Sequence, residues 1–474
     1  MSSLIDSTAR FLDHSAAQIW SYMLFVLLAV GLWLSIRTGF VQFRKLGAAW
    51  KLIFSGFMGK GKKSKDGDVS PFAALTTALA ATVGNGNIGG VATALVIGGP
   101  GSIFWMWVCG FLGMATKYSE ALLGVKYREH YPDGAIAGGP MYYIDNGVKN
   151  KKFGSFLAGA FAVCGTFAAL FGTGNMMQAN QMTLAMNSEL GIPKIVTAVV
   201  ITVLTALVIL GGIKRIGAVT EKIVPAMILL YFGTGIIVLI LNIKAVPAAF
   251  GLIFQHAFTP AAAAGGFLGA SVRQAMQMGV RRGLLSNEAG LGSAPIAHAA
   301  ARTPSPVHQG LIGLGEVFID TVLVCTLSAL INLTSGLWSG GLNGSAMTAA
   351  SFSQSIPVVG GIIVAFSSFL FGYSTLVGWC YYGEQCVRYL FGNRSTMPYR
   401  VVFTALVFIG AMVSLELVFY LGDIANAFMA LPNLIALAAL SGVVAKTTKS
   451  FFKDYPTMKD FERKRAGALE GGQK

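Results

Sequence analysis

The stretch "LAATVGNGNIGGVATAL", Leu79 to Leu95, decides how this chain is read. Its flanks are apolar enough to cross a membrane, yet four glycines and two asparagines crowd between Gly84 and Gly90. Each Gly costs about 1 kcal/mol against Ala inside a helix, and Asn side chains compete for backbone hydrogen bonds. Hydrocarbon penalises every unpaired backbone group. Irregular backbone at membrane depth is therefore tolerated only where protein buries it or where it lines a water-filled cavity.

Composition sets the environment. The chain has 474 residues, 54% hydrophobic and 12% charged, with a mean hydropathy of +0.65, whereas a soluble domain carries about 25% charged residues. The net charge of +15 would suit nucleic acid if it formed one face. The basic residues lie instead in clusters between apolar runs, the pattern of cytoplasmic loops, so no nucleic-acid partner is expected. Cys109, Cys164, Cys325, Cys380 and Cys386 all fall in apolar segments and read as small hydrophobes. The start, "MSSLIDSTARFLDHSAAQIW", lacks a basic region and a cleavage site, so a removed signal peptide is not expected.

A helix needs about 20 mostly apolar residues to cross a bilayer. Eleven segments qualify, near 19–36, 72–97, 102–125, 153–186, 195–213, 223–241, 261–285, 309–333, 358–385, 401–420 and 423–444. The expectation is an all-α integral membrane protein with eleven transmembrane helices. The loop from Arg37 to Ser70 carries eight basic residues and the tail after Val444 another eight, while Ser335 to Ile356 has no Lys or Arg. Alternating the loops puts the N-terminus outside and the C-terminus in the cytoplasm. The loops at 126–152, 214–222, 281–308 and 386–400 then also fall inside, each with Lys or Arg.

Secondary transporters use broken helices: half-helix N-termini face anionic groups and freed carbonyls coordinate a cation. The best sequence pointer is a second Gly-interrupted span at the matching place in the other half. Five spans after "TVGNGN", the 261–285 span is interrupted by Gly265, Gly266, Gly269 and Gly279. Two breaks five spans apart imply two inverted five-helix repeats, about 71–242 and 257–445, forming a core over 71–445. Residues 1–70 then hold an extra helix and a basic loop, and 446–474 a cytoplasmic tail. Close helix packing also uses glycine, and remains the alternative for either cluster taken alone.

Three stretches, "ATVGNGNIGGVATALVIGGPGSIFWMWVCGFLGMATKYSE", "LLSNEAGLGSAPIAHAA" and "VFIDTVLVCT", resemble the signatures of the alanine or glycine:cation symporters, the bacterial sodium:alanine symporters. The likeness runs from about residue 35 to 445. It implies the LeuT-like 5+5 inverted repeat of the amino acid–polyamine–organocation superfamily. It also implies symport of alanine, glycine or a close relative with sodium as coupling ion, in a prokaryotic plasma membrane. No organic cofactor and no enzymatic activity are implied, and the oligomeric state is not read from the sequence.

A zwitterionic amino acid offers a carboxylate, an ammonium and a side chain, each needing a partner away from water. The N–H groups freed around Gly84, Asn85 and Gly86 are candidates for the carboxylate, and the Asn87 amide for a bridge between substrate and cation. The family's pattern often has Thr or Ser at the position of Asn85. The superfamily's sodium position maps to the carbonyls of Ala80, Val83 and Phe371 with the hydroxyls of Ser374 and Thr375, oxygen ligands that suit a hard cation. Thr375 is also a candidate for substrate contact. Trp379, one turn further, resembles the residue that closes the pocket beside the substrate side chain.

Asn175, Gln178 and Gln181 share a stripe of an apolar segment, either for the ammonium or as polar glue between helices; Gln178 matches the family pattern. Gln274, Gln277, Met278 and Gly279 are candidates for the opposite wall. Glu316 and Asp320 share a helix face at i, i+4. An intramembrane carboxylate is a functional hypothesis by default: Asp320 suits a second cation site or a proton relay, Glu316 a structural pair with Arg281 or Arg282.

The rival classes weaken on inspection. A membrane enzyme needs a nucleophile–base pair or a metal cluster, whereas His14, His130, His256, His298 and His308 are read as lying in loops or near span ends. A channel would favour repeated pore loops. A proton-coupled carrier and a transporter-like amino-acid sensor remain open.

Overall fold

The structure is a computed structural model describing residues 2–57, 68–131, 136–261, 269–413, 415–458, 460–461 and 463–464. Among the described residues, apart from two paired strands, Glu129–His130 and Ile136–Ala137, the regular structure is helical. Helix α1 (Ser2–Arg37) is followed by two short helices, Val41–Arg44 and Leu46–Phe57. Then come α2 (Pro71–Thr82), α3 (Val91–Gly98), α4 (Gly101–Lys126), α5 (Lys151–Phe171), α6 (Met176–Leu190), α7 (Lys194–Ile209) and α8 (Gly212–Leu241). After α9 (Val246–Phe258) follow α10 (Val272–Asn287), α11 (Ala294–Ala299), α12 (Pro306–Val317) and α13 (Thr326–Thr334). The chain closes with α14 (Gly344–Ser355), α15 (Val359–Phe391), α16 (Thr396–Met412) and α17 (Leu415–Asp454).

Local chemistry sets several starts. Ser70 caps α2 by accepting from the Ala73 N–H, with Pro71 in the first helical position. Ser271 and Gln274 form a reciprocal capping box on α10. Large apolar side chains face outward along the long helices, among them Phe156, Leu229 and Val401, as a lipid-facing surface requires.

Among the described residues, seven helices are long and apolar enough to cross a membrane, and eight when the bent pair around "TVGNGN" counts as one span. This is fewer than the eleven expected. Helix α7 has 16 residues, ~24 Å at 1.5 Å per residue, short of a bilayer's core. Helix α4 holds Lys117, Glu120 and Lys126, and α10 holds Arg273, Arg281 and Arg282. Charge or length, not absence of helix, removes these from the count. The last boundary also shifts: one helix ends at Met412 and the next starts at Leu415, not between 420 and 423.

The first break lies where "TVGNGN" puts it. Helix α2 ends at Thr82, Val83 is extended (ψ 91°), and Gly86–Gly90 form a π-helical turn before α3. The two halves meet at a bend of 50°.

The second break does not lie where its glycines suggested. Gly265 and Gly266 fall outside the described residues, and Gly269 (φ 87°) precedes the helix. At Gly279 the helix runs on unbroken, and a Cβ there would sit 2.2 Å from the Ser102 carbonyl oxygen. This glycine lets α10 press against α4. The helix opens instead between Asn287 and Ala294, at "EAGLGS", where Glu288, Gly290 and Gly292 adopt positive φ (55°, 99° and 83°). The span expected over 153–186 is likewise interrupted, at Gly172–Asn175 between α5 and α6. A Cβ on Gly174 would lie 2.5 Å from the Trp379 ring, so the indole occupies the space this break leaves. Residues 281–308 are not a loop but the end of α10, the second break and α11.

Candidate functional site

Helix α15 runs against the end of α2, so closely that a Cβ on Gly378 would meet the Ala81 side chain at 2.9 Å. This contact brings oxygens together. Thr375 Oγ1 donates to the Ala80 carbonyl (3.1 Å) and to the Phe371 carbonyl (2.9 Å), and Ser374 Oγ also donates to Phe371 (2.9 Å). Val83, buried, ends α2 in extended backbone, which turns its carbonyl out of the helical ladder. Ala80, Phe371, Ser374 and Thr375 thus converge within hydrogen-bond reach across two helices. The hydroxyls also satisfy their own helix, as Ser and Thr in such helices do.

One residue on, the freed backbone meets amides. The Gly84 N–H donates to Asn87 Oδ1 (3.0 Å), and the Asn85 N–H and Nδ2 both donate to Gln178 Oε1 (3.4 and 3.2 Å). Gln178 Nε2 in turn donates to the Thr173 carbonyl in the α5–α6 break (3.1 Å), and Ser368 Oγ donates to Asn85 Oδ1 (2.5 Å). Two neutral amide oxygens therefore occupy the place a carboxylate would take at the unwound N–H groups. Asn175 and Asn180 instead bond the backbone of α16 or the residue after it: Asn175 reaches Phe403, and Asn180 reaches Gly410 and Val413. They are polar glue. Gln181 is buried further along α6.

Asp320 stands opposite. It lies in a π-helical segment, Phe318–Cys325, joining α12 to α13, and is fully buried. Its carboxylate accepts from Asn87 Nδ2 (2.6 Å), Ser286 Oγ (2.6 Å) and Thr321 Oγ1 (2.9 Å). Asn87 Nδ2 also reaches Ser286 Oγ (2.8 Å). Two π-segments thus face each other across an Asn–Asp contact, and such turns concentrate at functional sites.

The wall assigned to Gln277 and Gly279 needs correction. Gly279 packs on α4, Gln274 is exposed and caps its own helix, and Gln277 lies ten residues from the end of α10, about 15 Å along the axis. The residues of this chain segment that meet the first break are Leu285 and Ser286.

Several functional candidates escaped the sequence reading. Glu288 opens the second break and is buried; its carboxylate accepts from Trp379 Nε1 (2.7 Å) and Ser293 Oγ (2.6 Å). Trp379 is therefore fixed at both ends, by Gly174 under the ring and by Glu288 at the nitrogen. Glu120 on α4 accepts from the Gly290 and Gly292 N–H groups (3.1 and 3.0 Å) and from Asn433 Nδ2 (2.7 Å), which ties the open segment to α4 and α17. Glu316 pairs with neither Arg281 nor Arg282. It meets Lys117 Nζ (3.3 Å) and His298 Nε2 (2.9 Å), all three side chains fully buried. Arg281 pairs with Asp423. His298 is thus a core histidine, held also by Gln309 (2.8 Å). The rule that flags Asp320, a carboxylate inside an apolar run, flags Glu120 and Glu288 equally.

Two broken helices that meet where Asn87 reaches Ser286, with oxygens and amides gathered at the first break, define an all-helical transporter of the membrane type. A family model described as "Sodium:alanine symporter family" matches residues 5–465, and the chain belongs to that family. It is 48% identical over 438 residues to the sodium/alanine symporter AgcS of Methanococcus maripaludis, covering 91% of this chain and 95% of the relative. It is 36% identical to a probable sodium/glutamine symporter, GlnT, of Bacillus subtilis (93% and 90% covered). Among solved structures the fold matches MhsT, crystallised with L-phenylalanine, at a TM-score of 0.54 and 12% identity, covering 82% of this chain and all of the other. A manganese transporter from Eremococcus coleocola matches at 0.52 and 13%, covering 86% and 95%. At these identities the likeness concerns the fold, which is that of the LeuT-like transporters.

Proposed function

We propose that the chain couples sodium entry to uptake of alanine, or of glycine as a close relative, by alternating access across a prokaryotic plasma membrane. Its N-terminus is outside and its C-terminus cytoplasmic. The observation that carries this reading is the gathering of Ala80, Phe371, Ser374 and Thr375 oxygens against the first break, next to the Gly84–Asn85–Gln178 cluster. A cation held by freed carbonyls beside unwound N–H groups is how such carriers bind ion and substrate together. In this reading Gly84, Asn85 and Gly86 take the carboxylate and Gln178 the ammonium, while Asp320 with Asn87 and Ser286 forms the second polar centre. Eleven spans follow when α1 is added to ten core spans, with the pairs α2–α3, α5–α6, α10–α11 and α12–α13 each counted once and the short helices α9 and α14 left as connections between spans. The two inverted repeats are about 71–242 and 257–445.

Thr375→Ala is expected to raise the sodium concentration for half-maximal uptake about tenfold, the loss of one oxygen ligand worth roughly 1.4 kcal/mol. Ser374→Ala should act in the same direction. The check is a sodium titration of alanine uptake in proteoliposomes; unchanged sodium dependence in both variants contradicts the assignment.

Trp379 limits substrate size. Trp379→Ala should admit valine or leucine while weakening alanine, and because a hydrophobic pocket discriminates a methylene by only about 1–3 kcal/mol, the result is a shifted preference. Competition of larger amino acids against labelled alanine measures it; an unchanged spectrum contradicts the role.

A further inference from the structure

Glu288 is the first residue past α10, and its backbone lies in the left-handed region (φ 55°, ψ 16°). The same segment uses glycine at its two other left-handed positions, Gly290 and Gly292, where that conformation carries no strain. At 288 the chain keeps a glutamate instead and also buries it, to 3% exposure. Backbone strain and carboxylate burial both oppose this choice. The side chain therefore does something that a glycine would lose.

Its two oxygens face different elements. Oε2 accepts from Ser293 Oγ (2.6 Å) inside the second break, and Oε1 accepts from Trp379 Nε1 (2.7 Å) on α15. The Trp379 ring is fully buried, close above Gly174 and edge-on to Tyr382 at 5.6 Å. The torsion that turns an indole about its Cβ is broad, so the bond at Nε1 fixes the angle that packing leaves open. This ring borders the residues around the first break. Gly174 adjoins Thr173, whose carbonyl takes Gln178 Nε2 (3.1 Å), and Thr375 lies four residues before Trp379 on α15. A Cβ on Gly84 would meet both Thr375 and Gln178. The wall beside the first break is thus held in place by the first residue of the second.

We propose that Glu288 is a positioning residue that sets the size limit of the substrate side chain. Its carboxylate holds the Trp379 indole across the pocket, so a side chain larger than a methyl group has to break this bond as well as displace the ring. The inference rests on the proposed role of Trp379 and extends it to the second break, which a larger substrate disturbs at its first residue.

The test measures competition of unlabelled alanine and valine against labelled alanine, in sodium, on purified protein, with thermal stability recorded without substrate. In Glu288→Met, similar in length but without an acceptor for Nε1, the preference for alanine over valine should fall roughly 3- to 10-fold, within what a hydrophobic pocket commands per methylene. Glu288→Gln keeps an oxygen for Nε1, and the Ser293 hydroxyl can turn to accept from the new amide, so its ratio should stay within about twofold of the unaltered protein. Trp379→Phe lacks the N–H and should lower the ratio as Glu288→Met does. Adding Glu288→Met to Trp379→Phe should then change the ratio by less than about twofold, because the bond is already gone. Should Glu288→Met fail to fold, Ser293→Ala removes only the hydroxyl on the other carboxylate oxygen. It should lower the ratio about twofold in the unaltered background and leave it unchanged beside Trp379→Phe. A stability loss with no change of ratio, or the same change of ratio with and without Trp379→Phe, overturns the role of Glu288 alone. Absence of sodium-dependent alanine binding in the unaltered protein overturns the functional reading and this role with it.

Discussion

Gly84→Ala is expected to weaken sodium-dependent alanine binding by up to about 100-fold, while Gly90→Ala leaves it intact. The reason is steric. A Cβ on Gly84 would lie 2.6 Å from Thr375 Oγ1, and 3.5 Å from both polar atoms of the Gln178 amide. Thr375 is β-branched and buried, so its hydroxyl yields only by rotating off the carbonyls of Ala80 and Phe371. Overpacking of this kind costs about 1–3 kcal/mol, and at its upper end binding falls about 100-fold. Gly86 is the informative contrast. Its Cβ would find nothing nearer than 3.7 Å, on Leu285 and Ser286, so the protein accepts the methyl. Any loss of binding in Gly86→Ala then reports the substrate's own approach to the backbone. Gly90 has nothing within 4 Å, and Ala there should stay within about 0.5 kcal/mol of the parent. Alanine binding to purified protein in sodium, with thermal stability measured without substrate, separates these outcomes. If Gly84→Ala lowers stability as much as binding, the glycine is a packing residue.

Asp320→Asn is expected to cost nearly as much. The carboxylate accepts from three donors on three chain segments, Asn87, Ser286 and Thr321. An amide nitrogen turned toward Asn87 Nδ2 puts donor against donor, and one turned toward the Ser286 and Thr321 hydroxyls makes them give up donating; a buried polar group left unpaired costs about 1–3 kcal/mol, more where a charge was lost. Substrate binding in sodium should fall about 30- to 100-fold. The sodium dependence should also become less steep, since the buried negative charge available to a second cation is gone. A sodium titration with a fixed low concentration of alanine measures both. Unchanged affinity and steepness would make Asp320 a structural acceptor only.

How much of this was legible in the sequence depends on what each residue was selected to do. The first break could be read because four glycines and two asparagines in seven residues serve no helix. The second was misplaced because glycine has two uses in a membrane helix. Gly279 carries no break and only lets α10 meet α4, while the true opening holds two glycines and a glutamate whose positive φ no composition reveals. Trp379 could be located along α15, but its clamp between Gly174 and Glu288 joins residues more than 90 positions apart. Glu316 was sought by nearby arginines. It was found by Lys117 from a helix 200 residues earlier, since only the fold decides which buried cation a buried carboxylate meets.

The most direct test of the account is uptake of labelled alanine by the purified protein in proteoliposomes, with an inward sodium gradient and no other ion gradient. Accumulation above equilibrium, collapsing when sodium is equalised across the membrane and not reproduced by a proton gradient alone, is the predicted result. Binding of alanine without accumulation under the sodium gradient, or accumulation driven by protons in the absence of sodium, would contradict it.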